Sequence, residues 1–400
     1  MPPLGLRAET IMQIFRRIAA AAVFIGVFAV SAPKTARADE TPAPNLRHGV
    51  NLSNWFADFQ QQALTGHDFD QIKAAGFDHV RIPINPESLG FSVSEASTGR
   101  VLFDFAGLDD AVNGARDRGL TVILDIQPSD SFLSEMEQDP RTEPAMIALW
   151  HRIADHYSSY STGTVVYELL DNPHYVSANA YHNLVTDIVS GLHDVASKNT
   201  FIVDVPKQAS VDGFEGFAPL TAGTVWYAFH FYDPYLFTHQ GLKLASSFGR
   251  SLRYFRNLPY PAAEVNPGTN YAPTAPDPIE AKAALTDYVH ANWNAAQIAA
   301  RLKLAADWAT ANKVNVICTE FGVVRKNVPP HARYLWIVDT RNMLEADRIN
   351  WTLSDYADLF GIVTLNGDTA TDNDGGVRLA DPTQGSRDIE PDAIKALFAN

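Results

Sequence analysis

The sequence predicts an α/β fold, a single (β/α)8 TIM barrel over residues 39–400. Three observations predict it. Eight short runs rich in Val, Ile and Leu alternate with longer helix-periodic segments. Several runs are apolar without alternation, as strands covered on both faces are. Two of the helical segments stop at a glycine, Gly76 and Gly119. The alternative, an open doubly wound sheet, would carry a Gly-rich first turn that is missing here.

In chain order, residues 1–38 come first and are expected to be a cleaved signal peptide. Arg7, Arg16 and Arg17 precede the apolar run 18–30, and Ala36-Arg37-Ala38 supplies the small-residue cleavage site. That run is short for a membrane span. The expected location is therefore secreted or periplasmic. Strands are expected at 48–52, 79–84, 120–126, 165–170, 201–205, 225–231, 315–319 and 349–353. Helices are expected at 69–75, 108–118, 143–157, 178–196, 281–312, 332–346 and 391–399. The longest connection, 233–278, is rich in Pro, Tyr and Asn, and reads as a lid or groove wall, or as a solvated decoration.

The composition is 46% hydrophobic and 19% charged, which allows a sizeable core. A formal net charge of -15 disfavours nucleic acid as a partner and leaves neutral glycans unaffected. Cys318 is the single cysteine, so no internal disulfide is available. It follows an apolar run and reads as a core residue rather than a reactive thiol.

In such barrels the site lies at the C-terminal ends of the strands. There the sequence gathers Arg81, then Asp125 and Gln127, then Asp171-Asn172-Pro173-His174. Later strands add His230 with Tyr232, and Glu320 in Thr319-Glu320-Phe321-Gly322. Taken alone, Glu320 with Arg81 reads more readily as a structural ion pair.

The order of these motifs carries a resemblance. Gly49-Val50-Asn51-Leu52-Ser53-Asn54-Trp55, Ala75 to Pro83, Gly119 to Asp125, Phe229 to Tyr232 and Cys318 to Gly322 resemble, in turn, the first, second, third, sixth and seventh strands of glycoside hydrolase family 5. These are the cellulase-like retaining β-glycosidases. The resemblance implies chemistry with two carboxyl groups, a nucleophile and an acid/base, roughly 5–5.5 Å apart. Glu320 matches the nucleophile. Arg81 matches the cation that holds it ionised. His230 and Tyr232 match the pair that contacts the two carboxyl groups.

The resemblance breaks at strand four. The family's Asn-Glu-Pro is here Asp171-Asn172-Pro173, so Asn172 holds the acid/base position and cannot cycle a proton. Asp171 replaces an Asn that bonds the sugar 2-hydroxyl. Gln127 stands for the family's strand-three His, and Ser354 for its sugar-platform Trp, with Trp351 as a possible stand-in. A positioned general acid is worth about 10²–10⁴-fold.

Three functions follow as expectations. The first is a β-glycan-interacting protein, catalytically impaired or inactive. The second is an active β-glucan hydrolase or transglycosylase with Glu320 as nucleophile and Asp171 as a relocated acid. The third is a structural or assembly protein of polysaccharide export. The partner is a β-linked polysaccharide or oligosaccharide, with polysaccharide biosynthesis or export proteins as further candidates. Candidate sugar-stacking rings are Trp55, Trp226, Tyr232, Tyr235, Phe237, Tyr254 and Tyr260; Trp55 and Tyr235 are favoured, and Trp226 reads as a barrel-wall residue. Glu87, Asp130 and Asp233 read as loop or cap carboxylates, His174 as a loop residue, and His239 as either core or rim. No cofactor is expected. No metal is expected either, the acidic loop 368–376 reading as a solvated turn rather than a calcium site.

Overall fold

The structure is a computed structural model. It describes residues 43–53, 64–92, 103–129, 132–134, 139, 141–174, 177–243, 252–371, 377–380 and 384–399. The expected signal peptide, Trp55, Asp130 and residues 372–376 of the acidic loop lie outside the described residues.

Eight parallel strands close into a barrel in sequence order. They are β1 (His48–Asn51), β2 (His79–Ile84), β3 (Thr121–Ile126), β4 (Val165–Glu168), β5 (Thr200–Asp204), β6 (Thr224–Phe231), β7 (Asn315–Phe321) and β8 (Asn350–Leu353). Each expected strand is present, displaced by at most two residues at an end. β1 pairs with both β2 and β8, which closes the ring and leaves no open edge in it.

The helices pack outside because each buries one stripe. α1 (Gly66–Ala75), α2 (Ala106–Arg116), α3 (Thr142–His156), α4 (Ala178–Gly191) and the short α5 (His193–Ala196) cover the first half. In α3, Ala145, Met146, Leu149, Trp150 and Ile153 face inward at helical spacing. The Trp150 indole donates to the Leu169 carbonyl at 2.9 Å, fixing the exit of β4. After β6 come a one-turn α6 (Tyr235–Thr238), then α7 (Pro278–His290) and α8 (Ala295–Asn312). The expected helix 281–312 is thus two helices. Asn294 breaks the run because its side chain caps the second one, accepting from the Ala296 and Gln297 amides. α9 (Pro330–Ala346) and α10 (Pro391–Phe398) finish the ring.

Two features exceed the simple barrel. Beyond β8 lie two antiparallel pairs, β9 (Val363–Asn366) with β12 (Ser386–Ile389), and β10 (Thr369–Thr371) with β11 (Val377–Leu379). The described parts of the connection 233–278, residues 233–243 and 252–278, are built into the fold. Gln240 bonds the Phe237 and Leu258 carbonyls, and the Tyr260 hydroxyl donates to Asp339 of α9 at 2.8 Å. Phe237 and Tyr260 are buried in this packing, so neither is a sugar-stacking ring. Cys318 is buried, as expected of a core thiol. Among the described residues no helix is long and apolar enough to cross a membrane.

Candidate active site

Side chains pointing into the barrel alternate along each strand, so inward positions lie two residues apart. A lower inner layer is apolar: Ile123, Val166, Ile202, Ala228 and Ile317 pack with Leu46. Two residues further along four of those strands stand Asp125, Glu168, Asp204 and His230. The upper inner layer is therefore charged. On β7 the same step from Ile317 would reach Thr319. Instead the register with β6 shifts after Phe229, and His230 pairs with Glu320. This irregularity brings Glu320 level with the charged layer.

Arg81 is the centre of the layer and is fully buried. Its Nε and Nη2 grip Glu168 at 2.6 and 3.1 Å. Nη2 also donates to Asp171 Oδ1 at 2.6 Å. Nη1 donates to Glu320 Oε1 at 2.9 Å and to Asn51 Oδ1 at 3.0 Å. Asp125 Oδ2 lies 3.0 Å from Nη2, close in charge but misaligned, and neither Asp125 oxygen has a hydrogen-bond partner.

Glu320 keeps a path to solvent, with 17% of its side chain exposed. Its second oxygen accepts from the Tyr232 hydroxyl at 2.8 Å. Burial and the neighbouring Glu320 carboxylate push the Tyr232 phenol well up, so it remains a donor. Tyr232 also bonds Ser354, the residue at the expected platform position. Gly322 allows this close approach of β7 and β8, since a Cβ there would lie 2.1 Å from the Ser354 carbonyl oxygen. The buried guanidinium of Arg333 ties the rim together by bonding the Val323, Phe360 and Gly361 carbonyls.

The strand-four exit looks different from what a proton donor needs. Asp171 is buried, held by Arg81 and by Gln127 Nε2 at 2.8 Å. Burial opposes its ionisation, but Arg81, His230 and the Gln127 hydrogen bond outweigh burial and hold the carboxyl below its usual range. It is an anion here, which counts against its role as a relocated acid. Asn172 follows in the left-handed region with φ 52°, a conformation that Asn tolerates better than most residues. Its backbone amide donates to Asp204 Oδ2 at 3.0 Å. Burial and the nearby carboxylates push Asp204 well above the carboxylate range. Burial does the same to Asp125 despite the opposing Arg81.

The structure thus brings together Glu320, Arg81, Tyr232, His230, Asp171, Gln127 and Ser354. Tyr235 stands one step back, stacked on His239 with ring centroids 4.7 Å apart. His239 is buried, and His174 is exposed. Trp351 is no substitute platform: it is fully buried against Phe77, Phe321 and Phe398. Asp233 is not a free rim carboxylate but an ion-pair partner of Arg301 at 2.8 Å.

Sequence reasoning assigned no role to Glu168, Asp204 or Phe360. A signal for the first two existed, since each is a lone carboxylate inside an apolar strand run. Phe360 carries no such mark. It packs beside Tyr232 and His239 at 5.5 and 5.1 Å between ring centroids, half-exposed near Glu320. A concavity of about 500 Å³ lies beside this centre rather than over it, lined by residues such as Leu242, Arg325, Asn327, Leu359 and Leu365.

Comparison with known proteins fits this centre. The family model described as Cellulase (glycosyl hydrolase family 5) matches residues 37–357. The chain belongs to glycoside hydrolase family 5. Among relatives of this family, Endoglucanase C of Acetivibrio thermocellus is 22% identical over 334 residues, covering 78% of this chain and 91% of its own length. Endoglucanase 3 of Fibrobacter succinogenes is 23% identical over 339 residues and 80% of this chain, which spans only about half (50%) of that protein. Among solved structures, the cellulose synthase subunit Z of Clostridioides difficile superposes with a TM-score of 0.66 at 22% identity, over 88% of this chain and 100% of that one. At that identity the likeness speaks for the barrel fold.

Proposed function

We propose that this family 5 barrel binds a β-linked glycan at the barrel mouth around Glu320, and that its hydrolysis is impaired or lost. One observation carries the reading. Asn172 has no proton to give, and the adjacent carboxyl, Asp171, is a buried anion clamped by Arg81 and Gln127. The nucleophile side supports ligand recognition at the same place. Glu320 is held by Arg81 and Tyr232 in the manner that attack on an anomeric carbon requires, with both carboxyl oxygens oriented by hydrogen bonds. Without an acid, attack by Glu320 would expel an alkoxide, a poor leaving group. A glycan is then bound there rather than cut.

A second reading keeps some catalysis. It is favoured by the intact Glu320, Arg81 and Tyr232 arrangement, and it confines turnover to substrates whose leaving group needs no proton. The relatives named endoglucanase make a β-glucan the first ligand to try. The neighbour named as a cellulose synthase subunit makes a role beside polysaccharide synthesis or export the natural extension. Secretion or periplasmic residence through residues 1–38 belongs to the same proposal, and N-terminal sequencing of the protein exported by its native host tests it.

The decisive experiment compares wild type, Asn172→Glu and Asp171→Asn/Asn172→Glu on soluble β-glucans and mannans, with cello-oligosaccharide binding measured by calorimetry. Binding without hydrolysis in the wild type, and hydrolysis gained in the double variant, is the expected result. The gain should approach the roughly 10²–10⁴-fold worth of a positioned acid. Hydrolysis by the wild type that Asp171→Asn abolishes would overturn the reading and make Asp171 the acid.

A further inference from the structure

We propose that the barrel mouth holds a divalent first-row transition-metal ion, zinc foremost, on Glu168, Asp171, Asp204 and His230. Each offers one ligand atom, and these atoms lie within 4.8 Å of one another. The inference does not depend on the glycan reading.

Carboxylates alone would not carry it. The second observation is His230 Nε2, which is buried, has no hydrogen-bond partner, and points into the group. It stands 3.5 Å from Asp171 Oδ1 and 3.7 Å from Asp204 Oδ2. Those separations are too long for hydrogen bonds and suit donor atoms that share a central ion. A buried imidazole nitrogen with nothing to bind is costly.

Arg81, which already grips Glu168 and Asp171, would remain as the outer partner that orients both. Three carboxylate oxygens with one imidazole disfavour calcium and magnesium, which prefer all-oxygen sites, and suit zinc.

The test starts from the mature protein, freed of metal with chelator and dialysed against zinc. Elemental analysis should give one zinc per chain. X-ray absorption at the zinc edge should show imidazole scattering from one nitrogen among oxygens. His230→Gln and Asp204→Asn, each checked for folding by circular dichroism, should weaken binding at least tenfold. Chelation should lower the melting temperature of the wild type and leave His230→Gln unmoved. Three results would each overturn the proposal: no stoichiometric zinc, an all-oxygen zinc shell, or undiminished binding in both folded variants. The absorption measurement needs only the wild type, so a variant that fails to fold leaves the proposal exposed to refutation.

Discussion

The Tyr232 hydroxyl donates to Glu320 Oε2 at 2.8 Å while Arg81 Nη1 donates to Oε1 at 2.9 Å, so both oxygens of one carboxylate are held from opposite partners. This predicts a trappable nucleophile. A 2-deoxy-2-fluoro β-glycoside with a dinitrophenolate leaving group needs no acid assistance. Intact-mass analysis should show a glycosyl adduct on the wild type and none on Glu320→Gln. Tyr232→Phe should slow labelling about tenfold, as loss of about 1.5 kcal/mol at a charged acceptor implies. A wild type that resists every such sugar while still binding glycan would mean the nucleophile has also been silenced.

Arg81 holds the charged layer together, so its removal should be felt throughout the barrel. Arg81→Met leaves Glu168, Asp171, Asp125 and Glu320 without their shared cation. Breaking a buried pair from one side costs about 3–5 kcal/mol. Chemical denaturation monitored by tryptophan fluorescence should register a loss of that size. Adding Glu168→Gln to Arg81→Met should recover part of it, because one uncompensated charge is removed. An unchanged midpoint in Arg81→Met would show that the layer is neutral by other means.

His239 makes a prediction about acid. Burial among Tyr232, Tyr235 and Phe360 lowers its pKa to about 3. In the unfolded chain an imidazole binds its proton near pH 6.5. Between those values the unfolded state holds more protons, so stability falls as pH drops below about 6.5. This one group contributes at most about 1.4 kcal/mol for each pH unit. Urea midpoints for wild type and His239→Gln at pH 7.5, 6 and 5 isolate the effect. The wild type should lose ground to the variant as the solution is acidified, and parallel curves would mean that His239 is not buried neutral.

Much of this molecule could be read along the chain. The eight strands announce themselves because a strand covered by helices must be apolar on both faces, and such runs are visible without a structure. That Asn172 stands between Asp171 and Pro173 is also a sequence fact, since it rests on residue identity alone. The hairpins beyond β8 were not visible. They are short, polar and half-exposed, so no periodicity marks them. The single helix expected over 281–312 failed because apolar spacing continues through a break that the Asn294 cap makes locally.

The sequence by itself determined the barrel, the family and the Asp171-Asn172-Pro173 run at the end of strand four, because these depend on pattern and identity. Only the tertiary structure decided what became of the charges. That Glu320 stands level with His230 depends on a register shift between two strands. That Asp171 is clamped as an anion depends on a guanidinium 90 residues away in the chain. That Glu168 and Asp204 join the same centre depends on inward positions of neighbouring strands meeting at one height. Electrostatics is set by distance in space and by burial, and neither is written in the order of residues along a chain.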